Sequence, residues 1–280
     1  MFFDILITFG NQEDQINTEF ERSLKSILTQ KNNNWNLVVI GSLGQIEMAK
    51  NSIDKLKETQ PILNQIDLIL VKTYGFIDLN QVFEYFEAKD QEIHKLLMLE
   101  SGDYLSPDFL AEGENFLHSL DLSKNSFESY LAFSDFKYLN SKNEVFDSRF
   151  VLKLKLDAAR SNDFMFRPKL LLRPIQFFWD LKIIKKFGIK FDNSLENSDL
   201  RLAKFSLDYI LALAQINDFL LPKPKFCSKT YYISSSPVIE SLYDYSLVAW
   251  AEILKEKQGI IEKIGGKTWW KYKWLTFWRR

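Results

Sequence analysis

The chain has 280 residues, 46% apolar and 15% aromatic with 26% charged, which is enough apolar material for a full-sized core and excludes a disordered chain. Its 36 basic residues against 37 acidic give a formal net charge of −1, which excludes a dedicated nucleic-acid binder that relies on neutralising phosphates. One cysteine, Cys227, and two histidines exclude an internal disulfide and a Cys/His zinc cage, and point to a reducing compartment.

The first residues, MFFDILITFG, lack a basic leader and read as a first strand, with Ile5, Leu6 and Ile7 as its apolar run, rather than as a signal peptide. Ile16, Phe20, Leu24, Ile27 and Leu28 follow at spacings of four, four, three and one, which put them on one helix face. Leu37 to Ile40 predicts a second buried strand and Ile46 to Leu56 a second helix. Asp67 to Val71 predicts a third strand, Leu79, Val82, Phe83 and Phe86 a third helix, and His94 to Leu99 a fourth strand. This alternation predicts an α/β fold with a mostly parallel central sheet and helices on both faces. Ligands of such sheets lie beyond the carboxyl ends of the strands. Thr8 to Asn11, Gly41-Ser42, Thr73 to Gly75 and Glu100 to Asp103 are therefore expected to converge.

Residues 111 to 180 are less regular, with Tyr130 to Phe133 and Phe177 to Trp179 suited to elements lying across the end of the sheet, and with Pro168 and Pro174 as punctuation. Asn197-Ser198-Asp199 predicts the start of a helix running through Ile216, closed by Pro222 and Pro224. No run approaches the ~18 to 20 apolar residues of a membrane span.

These polar segments carry a resemblance. Thr8-Phe9-Gly10-Asn11 ends the first strand, and Phe20 with Ser23-Leu24-Lys25-Ser26-Ile27-Leu28-Thr29-Gln30 forms the following helix. Ile40-Gly41-Ser42 ends the second strand, and Gly75 and Asn80 precede the third helix. Glu100-Ser101-Gly102-Asp103 is followed by Leu105-Ser106-Pro107-Asp108-Phe109-Leu110, and later comes Phe191-Asp192 with Glu196 and Asp199. In order and spacing, over about residues 3 to 235, the chain resembles glycosyltransferase family 2 of the GT-A fold. The resemblance implies a GT-A-like domain over 1–235, with a nucleotide-sugar-binding half at 1–110 and an acceptor half at 111–235. Residues 236–280 would then form a C-terminal helical extension with a basic, aromatic tail.

By the same resemblance, Glu100 and Asp103 occupy the motif that binds a Mg²⁺ or Mn²⁺ ion and the donor, and Thr8, Asn11, Gly41, Ser42 and Gly75 line the nucleotide-sugar pocket. Asp199 takes the place of the acceptor-activating base, with Glu196 as the alternative in the same loop. Two departures stand out. Gly102 replaces the central metal-binding aspartate of the pattern, and the aspartate pair that precedes Gly41-Ser42 in the family is absent. Read from residue types alone, Ser101 to Asp103 and Gly41-Ser42 also suit plain turns, and Asp199 suits a helix N-terminal acid worth ~0.3 to 1 kcal/mol. Arg201, Arg167 and Arg173 suit either phosphate contacts or structural roles.

Residues 267–280, KTWWKYKWLTFWRR, contain four of the seven tryptophans and five basic residues with no acid. As a helix, Trp270, Trp274, Phe277 and Trp278 share a face, which suits the headgroup layer of a membrane or packing against protein. The expected function is transfer of a sugar from a nucleotide-diphosphate sugar to a glycan or lipid-linked acceptor at the cytoplasmic face of a membrane. The rival is a degenerate domain that binds a glycan or partner without catalysis. A dinucleotide-dependent oxidoreductase is disfavoured, because no Gly-x-Gly-x-x-Gly follows the first strand.

Overall fold

A computed structural model of the chain describes residues 1–9, 16–57, 66–70, 80–88, 94–121, 130–139, 145–147, 177–195, 198–220, 222–234 and 247–265. Through the first half run β1 (Phe2–Thr8), α1 (Ile16–Leu28), β2 (Trp35–Gly41), α2 (Leu43–Lys57), β3 (Ile66–Leu70), α3 (Asn80–Ala88) and β4 (His94–Glu100). The expected alternation is therefore present, with the third strand beginning one residue earlier than its apolar run. After it come β5 (Tyr104–Leu105), α4 (Phe109–Asp121), β6 (Tyr130–Leu139), β7 (Val145–Asp147), β8 (Trp179–Asp180) and α5 (Leu181–Phe187). The chain continues through α6 (Ser198–Ile216), β9 (Lys223–Ser234), α7 (Leu247–Glu256) and α8 (Gln258–Gly265).

The central sheet has the order β3-β2-β1-β4-β8, parallel except for β8. The five inner residues of β1 are all buried, as a strand covered on both faces requires. Helices α1 and α2 pack together, α2 also covers β2 and β3, and α5 lies on β4 and α6.

A second sheet, β5-β9-β6-β7, lies outside what the apolar periodicity anticipated. α6 ends at Ile216, before both prolines; Pro222 immediately precedes β9 and Pro224 is its second residue. There β9 pairs with β6, whereas β5 reaches only Tyr232 and Ile233. The Pro224 end thus has one ladder neighbour among the described residues, and a missing N–H is tolerated on an edge.

The two halves meet through aromatic side chains. Phe178 lies 6.4 Å from Phe3, 5.7 Å from Phe109 and 6.4 Å from Phe116. Trp179 stacks on Phe177 at 4.6 Å and meets Tyr209 edge-on at 4.7 Å. Burying such rings stabilises by roughly 1.5 to 3 kcal/mol each.

Embedded in this packing is an ion pair between Lys95 of β4 and Asp180 of β8, whose side chains are 3% and 14% exposed. Asp180 does more than pair. Its Oδ1 accepts the Lys182 N–H at 2.9 Å and so caps α5, while its own N–H donates to the Tyr209 hydroxyl at 2.9 Å. Burial of that hydroxyl pushes its pKa well above the usual tyrosine value. Asp180→Ala leaves a buried ammonium without its carboxylate, and is expected to lower the unfolding free energy by about 3 to 5 kcal/mol in urea titrations. Adding Lys95→Met to the same chain should recover part of that loss; a double variant no more stable than Asp180→Ala would show that the pair is not the source.

Candidate functional site

The parallel register aligns the strand ends. Thr8 stands opposite Ile40 on one side and Glu100 on the other, and Gly41 stands opposite Leu70. Thr8, Gly41 and Glu100 therefore share one carboxyl edge. The Thr8 carbonyl accepts the Ser101 N–H at 2.7 Å, and its hydroxyl donates to the Leu99 carbonyl at 3.4 Å. Gly41 is buried at the point where a Cβ would come 2.8 Å from the Phe9 ring and 3.0 Å from Gln45, so the close approach admits no larger residue without a shift. Exposed Ser42 starts α2: its carbonyl accepts the Ile46 N–H at 2.9 Å, and its N–H donates to Gln45 Oε1 at 2.9 Å. Gln45, three residues on, thus supplies the reciprocal half of a capping box.

The turn after β4 is held from α1. Ser23 Oγ accepts the Gly102 N–H at 2.9 Å and donates to the Asp103 carbonyl at 2.6 Å, while Arg22 Nε donates to the Gly102 carbonyl at 2.9 Å. One turn further along the same face, Ser26 Oγ accepts the Leu105 N–H at 3.2 Å, and just past the helix end the Gln30 amide donates to the Ser106 carbonyl and accepts the Leu110 N–H, at 2.9 and 3.0 Å. Residues 23 and 26 share a helix face and Gln30 follows just past the helix end, which explains physically the Ser-x-x-Ser-x-x-x-Gln spacing noted in the sequence. What sequence reasoning missed was Arg22, whose guanidinium also lies 5.6 Å from the Tyr104 ring centroid.

Gly102 has φ of 100°, in the region that favours glycine. Glu100 is exposed, whereas Asp103 is 2% exposed and its Oδ2 accepts the Glu100 N–H at 3.3 Å. The two carboxylates thus have unlike surroundings: one faces outward from the edge, the other is enclosed in the turn. The Ser101 hydroxyl between them is buried with no hydrogen-bond partner among the described residues. Among the described residues, no group of three or more His, Cys, Asp and Glu could hold a metal.

Asp199 is the second residue of α6. The segment leading to it is tightly bonded. Asp192 Oδ1 accepts from the Ser194 N–H at 3.0 Å and from its hydroxyl at 2.5 Å; the Leu195 N–H reaches the Asp192 carbonyl at 3.2 Å. Arg201 is 7% exposed, and its Nε donates to the Leu195 carbonyl at 2.7 Å, a loop-holding contact. Asn11, Gly75, Arg167, Arg173, Glu196 and the 267–280 tail lie outside the described residues.

Beyond Asp192 a cleft of about 360 Å³ opens between residues 187–192, α6 and α8. Two of its lysines are paired, Lys204 to Asp192 at 3.0 Å and Lys257 to Asp208 at 2.9 Å. Burial pushes the Asp208 carboxyl up despite its lysine.

No protein-family model and no curated protein sequence matches the chain. Solved structures do resemble it. S. aureus TarS 1-349 in complex with UDP matches with a TM-score of 0.58 at 14% identity, over 98% of this chain and 75% of that one. The mannosyltransferase PcManGT from Pyrobaculum calidifontis, in complex with GDP-Man and Mn²⁺, matches with 0.54 at 11% identity, over 99% and 82%. GalNAc-T7 with UDP, GalNAc and Mn²⁺ matches with 0.54 at 10% identity, over 91% and 48%. The α/β fold expected from the sequence is thus the GT-A type shared with these proteins.

The Asp192 turn yields a pH test. The Ser194 hydroxyl first, and then Lys204, hold the Asp192 carboxyl down to about 2. A carboxylate depressed in the folded state adds stability that is complete above its unfolded pKa, near 3.9, and is lost as pH falls from there through about 2. A carbon-detected titration should place the Asp192 midpoint near 2 in the native chain and closer to 3.8 in Ser194→Ala. An unmoved midpoint would assign the depression to Lys204 and the Ser194 backbone N–H instead.

Proposed function

We propose that this chain is a glycosyltransferase that moves a sugar, with inversion, from a nucleoside-diphosphate donor to a hydroxyl of a glycan or lipid-linked acceptor, in cell-surface polysaccharide or glycoconjugate biosynthesis. One observation carries the reading: Thr8, Gly41 and Glu100 share a single carboxyl edge in a fold whose solved neighbours hold UDP or GDP-Man. Thr8, Asn11, Gly41, Ser42 and Gly75 are assigned to the nucleotide-sugar pocket with Glu100 and Asp103. The buried Ser101 hydroxyl is a further group that a bound donor could satisfy.

The residues fit a loosely held Mg²⁺ or Mn²⁺. Glu100 presents one outward carboxylate with Asp103 behind it, and these ions are commonly held by one or two carboxylates together with substrate phosphates. When bound, the ion neutralises charge on the departing diphosphate.

In the transfer, the acceptor oxygen bonds to the anomeric carbon as the bond from that carbon to the diphosphate oxygen breaks. The electron pair of that bond leaves with the nucleoside diphosphate. The Asp199 carboxylate takes the acceptor proton, a contribution of typically ~10² to 10⁴ in rate. Ser23 and Arg22 fix the backbone of the turn that follows Glu100.

Gly102 and the enclosed Asp103 favour a second reading, a degenerate transferase domain that binds a glycan or a partner protein. A thermal-shift screen of UDP, GDP, CDP and dTDP sugars with and without Mn²⁺ separates the two, because a ligand of the folded state at about 100 times its Kd stabilises by ~2.7 kcal/mol. The transferase reading expects a metal-dependent shift with one nucleotide. It also expects Asp199→Asn to lower turnover by ~10² to 10⁴ while leaving that shift in place. No shift and no turnover from folded protein would move the assignment to the binding module.

Among the described residues no helix is long and apolar enough to cross a membrane. We assign residues 267–280 to the cytoplasmic surface of the inner membrane, where tryptophans favour the interface and each basic residue near anionic lipid contributes ~1 kcal/mol. Removing 267–280 is expected to abolish co-sedimentation with anionic liposomes; unchanged binding would place those tryptophans on protein.

A further inference from the structure

The segment that leads to Asp199 is anchored from the other half of the molecule. Asn80, the first residue of α3, donates from Nδ2 to the Phe191 carbonyl at 2.9 Å and accepts the Phe191 N–H on Oδ1 at 2.8 Å. One side-chain amide thus satisfies both backbone groups of a residue 111 positions away, as a neighbouring strand would. Only an amide offers a donor and an acceptor in this arrangement. The Phe191 ring completes the anchor. It stacks on Phe205 of α6 at 4.3 Å and 6°, and on Phe83 of α3 at 5.7 Å and 2°. Phe83 and Phe205 in turn lie 5.5 Å apart and 4° from parallel. From Phe191 the chain passes through the Asp192–Ser194 turn to Leu195, whose carbonyl Arg201 holds, and then into α6.

We propose that Asn80 is a positioning residue for the acceptor-activating carboxylate: by clasping Phe191 it sets where the Asp192–Leu195 turn and the first turn of α6 sit relative to the strand edge. This rests on the assignment of Asp199 as the base. The physical basis is steep distance dependence: displacement of a reacting group by about 1 Å costs about 10²-fold in rate. Asn80 carries no charge to contribute to the chemistry, so its effect runs through Asp199.

The test uses the full chain and water as acceptor, reading nucleoside-diphosphate release from UDP, GDP, CDP and dTDP sugars. Wild type, Asn80→Ala, Asp199→Asn and the double variant form a cycle. Asn80→Ala is expected to lower release by ~10- to 100-fold, with the nucleotide Kd from thermal shift unchanged within about twofold. In the Asp199→Asn background the same substitution should change release by less than about threefold, because there is no base left to misplace. Asn80→Asp, which keeps the acceptor for the Phe191 N–H and loses the donor to its carbonyl, should fall between. It also serves as the readout if Asn80→Ala fails to fold. The Phe191 amide should lose hydrogen-exchange protection in Asn80→Ala.

A multiplicative double variant, or an Asn80→Ala within threefold of wild type, would overturn the assignment while leaving the transferase reading standing. A wild-type chain that releases nothing from any donor would overturn the transferase reading, and this assignment with it. Retained exchange protection at Phe191 in Asn80→Ala would instead remove the clasp itself.

Discussion

Much of the candidate site hangs on one helix face bonded to one stretch of backbone. Ser23 and Ser26 of α1 and Gln30, two residues past its end, meet the peptide groups of Gly102, Asp103, Leu105, Ser106 and Leu110 by side-chain hydrogen bonds, across about eighty residues of sequence. A segment with so little regular structure, entering the core between β4 and α4, would otherwise bury peptide groups without partners, at ~1 to 3 kcal/mol each. Because α1 supplies the partners, the chain can turn sharply after Glu100 and start α4 with Phe109 and Leu110 fully buried. The aromatic packing of Phe109 on Phe178 and of Phe178 on Phe3 follows from that placement.

The two halves are joined by contacts of different character. Near β8 the join is apolar and charged at once: Trp179, Phe177 and Tyr209 surround the Lys95–Asp180 pair, and Asp180 serves the sheet, the α5 cap and the Tyr209 hydroxyl together. Near Phe191 it is a neutral amide clasp backed by three parallel rings. A buried charge pair is most damaging when one partner is removed, while an amide clasp gives direction with a smaller penalty. The first arrangement suits holding the halves together, the second suits aiming a loop.

Legibility in the sequence followed the range of the interaction. The central strands announced themselves as apolar runs, since burial on both faces leaves few other residues, and the register then aligned Thr8 and Glu100 as the strand-end rule expects. Of the second sheet only β6 was legible, through the Tyr130–Phe133 run; β5 has two residues, and β9 opens with Lys-Pro-Lys and depends on β6 to be a strand at all. The Ser23, Ser26 and Gln30 spacing was visible, but periodicity shows which residues share a face and not what lies opposite it. Likewise Glu100 and Asp103 look alike in sequence; only the turn makes one exposed and the other enclosed.

Gly102 gives that turn a direction in sequence space. Its φ of 100° lets the N–H meet Ser23 and the carbonyl meet Arg22 at once. A side chain at this position would strain the backbone by ~1 to 3 kcal/mol, or pull the peptide off both partners. Exchanging Gly102 for a larger residue would therefore also require Ser23 and Arg22 to release the loop. The turn works as a ratchet. Changes that leave this bonding intact are confined to positions around 102, and exposed Glu100 is the one already at the carboxyl edge.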